Sequence, residues 1–178
     1  MVDPVFTIGH STRALDGFLS LLGEAGIDLV VDVRKLPGSR RYPHFDADAL
    51  AGSLREAGVG YERFEPLTGR RPVSRDVPFE TNAWWQNRSF HNYADHALSS
   101  EFREGLAGLR ETGAEHRIAL MCSEAVWWRC HRRIIADHLL TDGIEVQHIL
   151  DEDHVDPATL SAGAVVGGDG RVTYPASG

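Results

Sequence analysis

At 178 residues, 42% hydrophobic and 25% charged, the chain has the size and composition of one globular domain whose core needs no disulfide staples. A net charge of −8 argues against extended, non-specific nucleic-acid binding, which relies on a basic surface. No apolar run approaches the ~20 residues of a membrane span, and the start, Met1-Val2-Asp3-Pro4, lacks the basic and apolar regions of a secretory signal. A cytoplasmic setting is therefore expected. There thiols stay reduced, so Cys122 and Cys130 read as chemical, metal-binding or core residues rather than a structural bridge.

Residues 5–10 form a short apolar run ending in Gly-His and read as a first strand. Ser11 or Thr12 is expected to cap a helix whose apolar stripe is Leu15, Phe18, Leu19 and Leu22, with Gly26 ending it. Residues 29–33 are apolar and β-branched except for Asp32, the pattern of a strand buried on both faces. An irregular loop with Pro37, Gly38 and Pro43 follows. Asp46 or Asp48 then opens a second helix carrying Leu50 and Leu54, Gly58 closes it, and residues 59–64 alternate as a third strand. Residues 66–87 are irregular, but the adjacent Trp84 and Trp85 point to an ordered lid or interface rather than disorder. Helical patterning over residues 89–112 fits two helices. Residues 117–122 read as another buried strand, 129–140 as a helix followed by Gly143, and 145–150 as the last core strand.

Alternation of strand and helix implies a doubly wound α/β domain over residues 1–150, with a mostly parallel sheet and helices on both faces. Residues 151–178 break the pattern and read as a peripheral C-terminal extension. Within it, residues 165–174 with their central Gly-Gly-Asp-Gly suggest a small hairpin.

In such sheets ligands bind beyond the carboxyl ends of the strands. His10 and Ser11 follow the first strand, Asp32 and Arg34 the second, and Cys122, Ser123 and Glu124 the fourth, so these groups should share one rim. An Asp within a buried strand must be paired, and Arg34 or His10 can do that. The densest chemistry lies in Cys122-Ser-Glu-Ala-Val-Trp-Trp-Arg-Cys-His-Arg-Arg133, between a strand and a helix N-terminus. Such a terminus favours anions and lowers the pKa of a thiol, as do neighbouring Arg and His residues. Cys130, flanked by Arg129, His131, Arg132 and Arg133, has that setting. A plainer alternative buries Cys130 with Ile134 and Leu139 as an inert core residue.

Of the 18 basic residues only Lys35 is lysine. Coding bias accounts for that, yet Arg40-Arg41, Arg70-Arg71 and Arg132-Arg133 also suit anions, because guanidinium matches phosphate geometry. Cys122, Cys130 and His131 supply only three zinc donors at an unusual spacing, and His10, His91 or His96 would have to complete a set. No metal ligands are assigned and no cofactor is indicated.

The sequence resembles a bacterial and archaeal family, domain of unknown function 488. The likeness rests on Thr7-Ile-Gly-His-Ser-Thr12, Asp32-Val-Arg34 with Pro37-Gly-Ser-Arg40, Phe45, Gly58 with Tyr61, Tyr93, Leu120-Met-Cys-Ser-Glu-Ala125, Cys130-His-Arg132 and Ile135-Ala-Asp137, across residues 5–150. Two positions depart from the family pattern: Ser123, where Ala is usual, and Thr68, where Gly is usual. The resemblance implies a Rossmann-like fold and a shared site, with no settled activity.

The residues themselves suggest an enzyme acting on an anionic, phosphorylated or nucleotide-like small molecule, such as a thiol-dependent transferase or hydrolase. Cys122, Glu124, Cys130 and His10 are the candidate catalytic groups. Ser11, Asp32, Arg34, Arg40, Arg129, His131 and Arg132 are the candidate binding groups. The alternatives are a non-catalytic module that binds a nucleotide or a nucleic-acid end, and a metal-dependent enzyme. A homo-oligomer is compatible with all three.

Overall fold

The structure, a computed structural model, describes residues 3–176. Strands β1 (Val5–Gly9), β2 (Leu29–Asp32), β3 (Gly60–Arg63), β4 (Ile118–Cys122), β5 (Val146–Asp151) and β6 (His154–Pro157) form one sheet in the order β3-β2-β4-β1-β5-β6. All neighbours pair in parallel except β6, which runs antiparallel to β5 at the edge. This is the doubly wound, Rossmann-like arrangement that the alternation predicts. Every residue of β1, β2 and β4 is buried, which explains why they read as unbroken apolar runs rather than alternating ones.

Helices cover both faces because successive strand residues point to opposite sides. Phe6, Ile8, Val30, Ala119, Met121 and Ile149 meet α1 (Leu15–Glu24) and α2 (Ala47–Glu56) through Phe18, Leu22, Leu50 and Leu54. Val5, Leu29, Val31, Ile118, Leu120 and Cys122 face the other way, toward α3 (Arg88–His96), α4 (Ser100–Gly113) and α5 (Arg132–Thr141). Each fully buried Leu, Ile or Phe of these layers contributes roughly 1.5–3 kcal/mol. No helix among the described residues is long and apolar enough to cross a membrane.

Gly26, Gly58 and Gly143 adopt φ of 70°, 78° and 81° just beyond α1, α2 and α5, the left-handed conformation that ends a helix and favours glycine. The N-terminal ends differ from expectation. The cap of α1 is Ala14, not Ser11 or Thr12, because the chain first makes a turn with Ser11 at φ 47°. Asp46 does precede α2, but its carboxylate accepts from the Ser39 amide across the preceding loop instead of capping. Helix α5 starts at Arg132 rather than 129. Trp127–Arg129 forms a separate 3-10 turn, and Cys130 is extended at φ −128° and ψ 149°.

The segment after β5 is integrated rather than peripheral. It adds β6 to the sheet and then forms the expected hairpin from β7 (Val165–Val166) and β8 (Val172–Thr173). Tyr174 is wholly buried and donates its hydroxyl to Asp137 of α5 at 2.7 Å, while the Ser161 amide donates to the same carboxylate at 2.9 Å. Trp84 and Trp85 pack on Tyr174, and the Arg133 guanidinium lies over both indoles. The stretch 66–87 is thus ordered, with its tryptophans committed to this tail.

Candidate functional site

The chain leaves β2 through α2 on one face and leaves adjacent β4 through α5 on the other. A crevice therefore opens beyond the carboxyl ends of these two strands, the usual ligand position in open α/β sheets. The loop after β4 is drawn tightly against β1. The His10 amide donates to the Cys122 carbonyl at 2.9 Å and the Ser11 amide to the Ser123 carbonyl at 3.1 Å. A Cβ at Gly9 would lie 1.8 Å from the Glu124 carbonyl oxygen, so only glycine permits this approach.

The two thiols meet in that loop. Cys122 closes β4, Cys130 precedes α5, and their Sγ atoms stand 2.8 Å apart with no disulfide between them. Cys130 Sγ accepts from the Arg132 backbone amide and from Arg132 Nε, each at 3.4 Å, and His131 Nδ1 is 3.6 Å away. Arg132 is 1% exposed. Its remaining guanidinium donors go to Thr7 Oγ1 at 3.1 Å and the Glu124 carbonyl at 2.7 Å, and among the described residues no carboxylate pairs with it.

A buried guanidinium without a counter-charge costs several kcal/mol. A thiolate at Cys130 would supply that charge. Burial alone would push the Cys130 thiol up, but the Cys122 hydrogen bond and the His131 and Arg132 charges outweigh it and hold Cys130 well below the ordinary thiol range. Burial and the neighbouring Cys130 push Cys122 well above that range. These opposite shifts favour Cys122 as the proton donor of the pair and Cys130 as the acceptor. Behind Arg132, Thr7 Oγ1 lies 2.6 Å from His148 Nδ1, and the His148 ring stacks on Trp127. Burial, with help from Arg132, lowers His148 to about 3, so it stays neutral.

Cys122, Cys130 and His131 line a cavity of about 340 Å³. Tyr93 and Phe90 of α3 form part of its wall. The Tyr93 hydroxyl donates to the Leu67 carbonyl at 2.7 Å, and its ring lies 4.8 Å from that of His131. Gly69 passes beneath His131, where a Cβ would come within 2.8 Å of Nδ1. Arg70 follows at φ 55°, a left-handed conformation uncommon outside glycine. The exposed charges lining the cavity are Lys35, Arg70 and Arg129 against Glu124, so the opening is locally cationic on a chain of net charge −8.

Of the residues singled out from the sequence, the cavity brings together Arg34, Cys122, Glu124, Arg129, Cys130 and His131. Arg132 lies behind the thiols rather than in the cavity wall. His10, Ser11, Asp32 and Arg40 do not line it, and Arg40 is exposed. Asp32, wholly buried, pairs with Arg34 at 2.8 Å and accepts the Tyr61 hydroxyl. Arg34 also donates to the Phe45 carbonyl at 2.7 Å and lies 3.3 Å from His10 Nε2. Burial would lower the Arg34 pKa, but Asp32 more than compensates and raises it. Burial, reinforced by Arg34, lowers His10 to about 4 against the hydrogen bond to the Ser11 carbonyl. This cluster braces the loop between β2 and α2.

Asn87, Ser89, Phe90 and Tyr93 are cavity residues that the strand-end argument missed, because they come from a helix on one face rather than from a strand end. Lys35 and Arg70 had only composition to mark them, as the sole lysine and half of an arginine pair. Among the described residues no three His, Cys, Asp or Glu side chains gather as a metal site. His91 and His96 instead lie within hydrogen-bond reach of the carbonyls of Phe79 and Pro66.

The model of the family described as "Domain of unknown function DUF488" matches residues 14–139. The chain belongs to this family. Within the DUF488 match lie Asp32, Arg34, Cys122, Glu124 and Cys130 to Arg132, the residues that build the bracing cluster and the thiol pair, whereas His10 and Ser11 fall just before it. No curated protein and no solved structure matches the chain.

Proposed function

We propose that this DUF488 protein is a thiol-dependent enzyme acting on a small anionic molecule, with phosphorylated and nucleotide-like compounds in the class that fits. The observation that carries the reading is the placement of Cys130 on a buried, otherwise uncompensated Arg132 beside an open cavity. A thiolate is the reactive form of cysteine, and Arg132 and His131 beside Cys130 favour it. The cavity volume of about 340 Å³ suits a small ligand better than a polymer. Lys35, Arg70 and Arg129 would draw an anion to the opening, Arg34 would stay in place on Asp32, and Cys130 would attack. His131, 3.6 Å from the sulfur, and Glu124 at the rim would exchange protons with the leaving group. An extended nucleic acid or a membrane is not the expected partner. A reducing, cytoplasmic compartment would keep both thiols free for this chemistry.

Brief treatment of the folded protein with iodoacetate, read by peptide mass spectrometry, tests this. Cys130 should be modified and Cys122 spared. The anionic reagent should gain on neutral iodoacetamide relative to their rates with a free thiol, and inorganic phosphate should slow both reactions. Thiols that react only after denaturation would overturn the proposal.

A further inference from the structure

We infer that Cys122 is a resolving thiol, so that the pair Cys122–Cys130 cycles between dithiol and disulfide at the expense of a small anionic disulfide bound in the same cavity. The inference rests on Cys130 as the attacking thiolate and goes further, by naming the bond attacked and a role for the second cysteine. A nucleophile that transfers an acyl or phosphoryl group needs no second sulfur for any bond-making step, although the Cys122 hydrogen bond would still favour its thiolate. A thiol 2.8 Å from the attacking sulfur is placed to displace a thiolate bound to that sulfur in a mixed disulfide. The separation is less than 1 Å longer than a disulfide bond of ~2.05 Å, so closure needs only side-chain adjustment.

The exchange balances in two steps. The Cys130 thiolate attacks one sulfur of the ligand disulfide RS–SR. The ligand S–S bond breaks, a Cys130–S–S–R bond forms, and RS⁻ departs to take up a proton. Cys122 then gives up its proton and attacks Cys130 Sγ. The Cys122–Cys130 bond forms, and the second RS⁻ leaves with the Cys122 proton. The protein pair loses two electrons and the ligand disulfide gains them, yielding two RSH. A small cellular thiol, by the reverse exchange, restores the dithiol.

The surroundings assist the second step. Once Cys130 is capped it no longer carries negative charge, and Arg132, buried beside both sulfurs, favours ionisation of Cys122 in its turn. The positive charge of Arg132 thus serves whichever sulfur is attacking. Lys35, Arg70 and Arg129 at the opening select a disulfide whose two halves carry negative charge.

The test uses oxidised glutathione as the anionic disulfide and cystamine as the cationic one, with intact-mass and peptide analysis. The full-length protein should lose both free thiols to one internal disulfide and hold no glutathione at the end point. Its rate with oxidised glutathione should exceed that with cystamine by on the order of tenfold after normalisation to a free thiol, and the gap should shrink with added salt. Cys122→Ser should stall as a Cys130–glutathione adduct, and Cys130→Ser should react at no more than the free-thiol rate. A stable glutathione adduct on the unmutated protein, or equal normalised rates with the two disulfides, would overturn the inference. The outcomes separate the two readings. Fast alkylation of Cys130 without internal disulfide formation leaves the proposed function standing and removes the resolving role, whereas absence of both reactions removes both.

Discussion

Replacing Arg132 by Met keeps most of its bulk and removes the charge. Cys130 then has only His131 and the Cys122 hydrogen bond against its burial, and the apparent pKa read from the pH dependence of alkylation should rise. An unchanged pKa would mean that the guanidinium serves packing alone. The sequence placed positive charge near Cys130 correctly but assigned Arg132 to a ligand. Arg129, Arg132 and Arg133 look alike in the chain, and only packing distinguishes them. Arg129 reaches the cavity, Arg132 turns inward to Thr7 and Cys130, and Arg133 lies over Trp84 and Trp85. Asp32 was easier to read. A carboxylate inside a run of buried residues requires a partner, and Arg34 is that partner.

At the scale of elements, the strands and their order of alternation were legible because buried parallel strands leave apolar runs bounded by glycine. The start of α5 was not. Residues 127–129 do turn, but Cys130 must be extended to bring its sulfur to Cys122, and that demand comes from a strand eight residues away rather than from local propensity. The C-terminal tail was likewise opaque, since its anchor is the long-range contact of Tyr174 with Asp137. Tyr174→Phe removes one donor to this buried carboxylate and leaves the Ser161 amide. It should cost about 1–3 kcal/mol, measured by urea denaturation, while leaving Cys130 alkylation unaffected. A neutral substitution would show that the tail is held by its aromatic packing alone.

Across the whole molecule, burial gives stability a definite pH dependence. His10 and His138 are lowered to about 4 and His148 to about 3, in each case chiefly by desolvation. An unfolded chain protonates these rings near pH ~6.5, so below that pH it binds protons that the fold refuses. The stability they contribute is fully present above pH ~6.5 and is lost as pH falls through about 4 and then 3. The lowered Cys130 acts in the same direction over its own range. Its contribution is complete above the unfolded thiol pKa of ~8.5 and disappears as pH falls through the folded value. Unfolding free energies from urea denaturation should therefore fall between pH ~6.5 and ~4, with a limiting slope of ~1.4 kcal/mol per histidine per pH unit. A flat profile over that interval would show that these histidines are solvated. The net charge of −8 gave no sign of a cationic opening, because Lys35, Arg70 and Arg129 are far apart in sequence and meet only where the sheet's strands end.

The most direct test of the account is the thiolate absorbance of the folded, reduced protein followed through a pH titration, with Cys130→Ser as the blank. One thiolate should already be present at neutral pH, vanish in Cys130→Ser, and titrate well below the ~8.5 of an ordinary thiol. If Cys130 ionises at or above that value, Arg132 is not balanced by sulfur, and both the proposed nucleophile and the dithiol cycle fall with it.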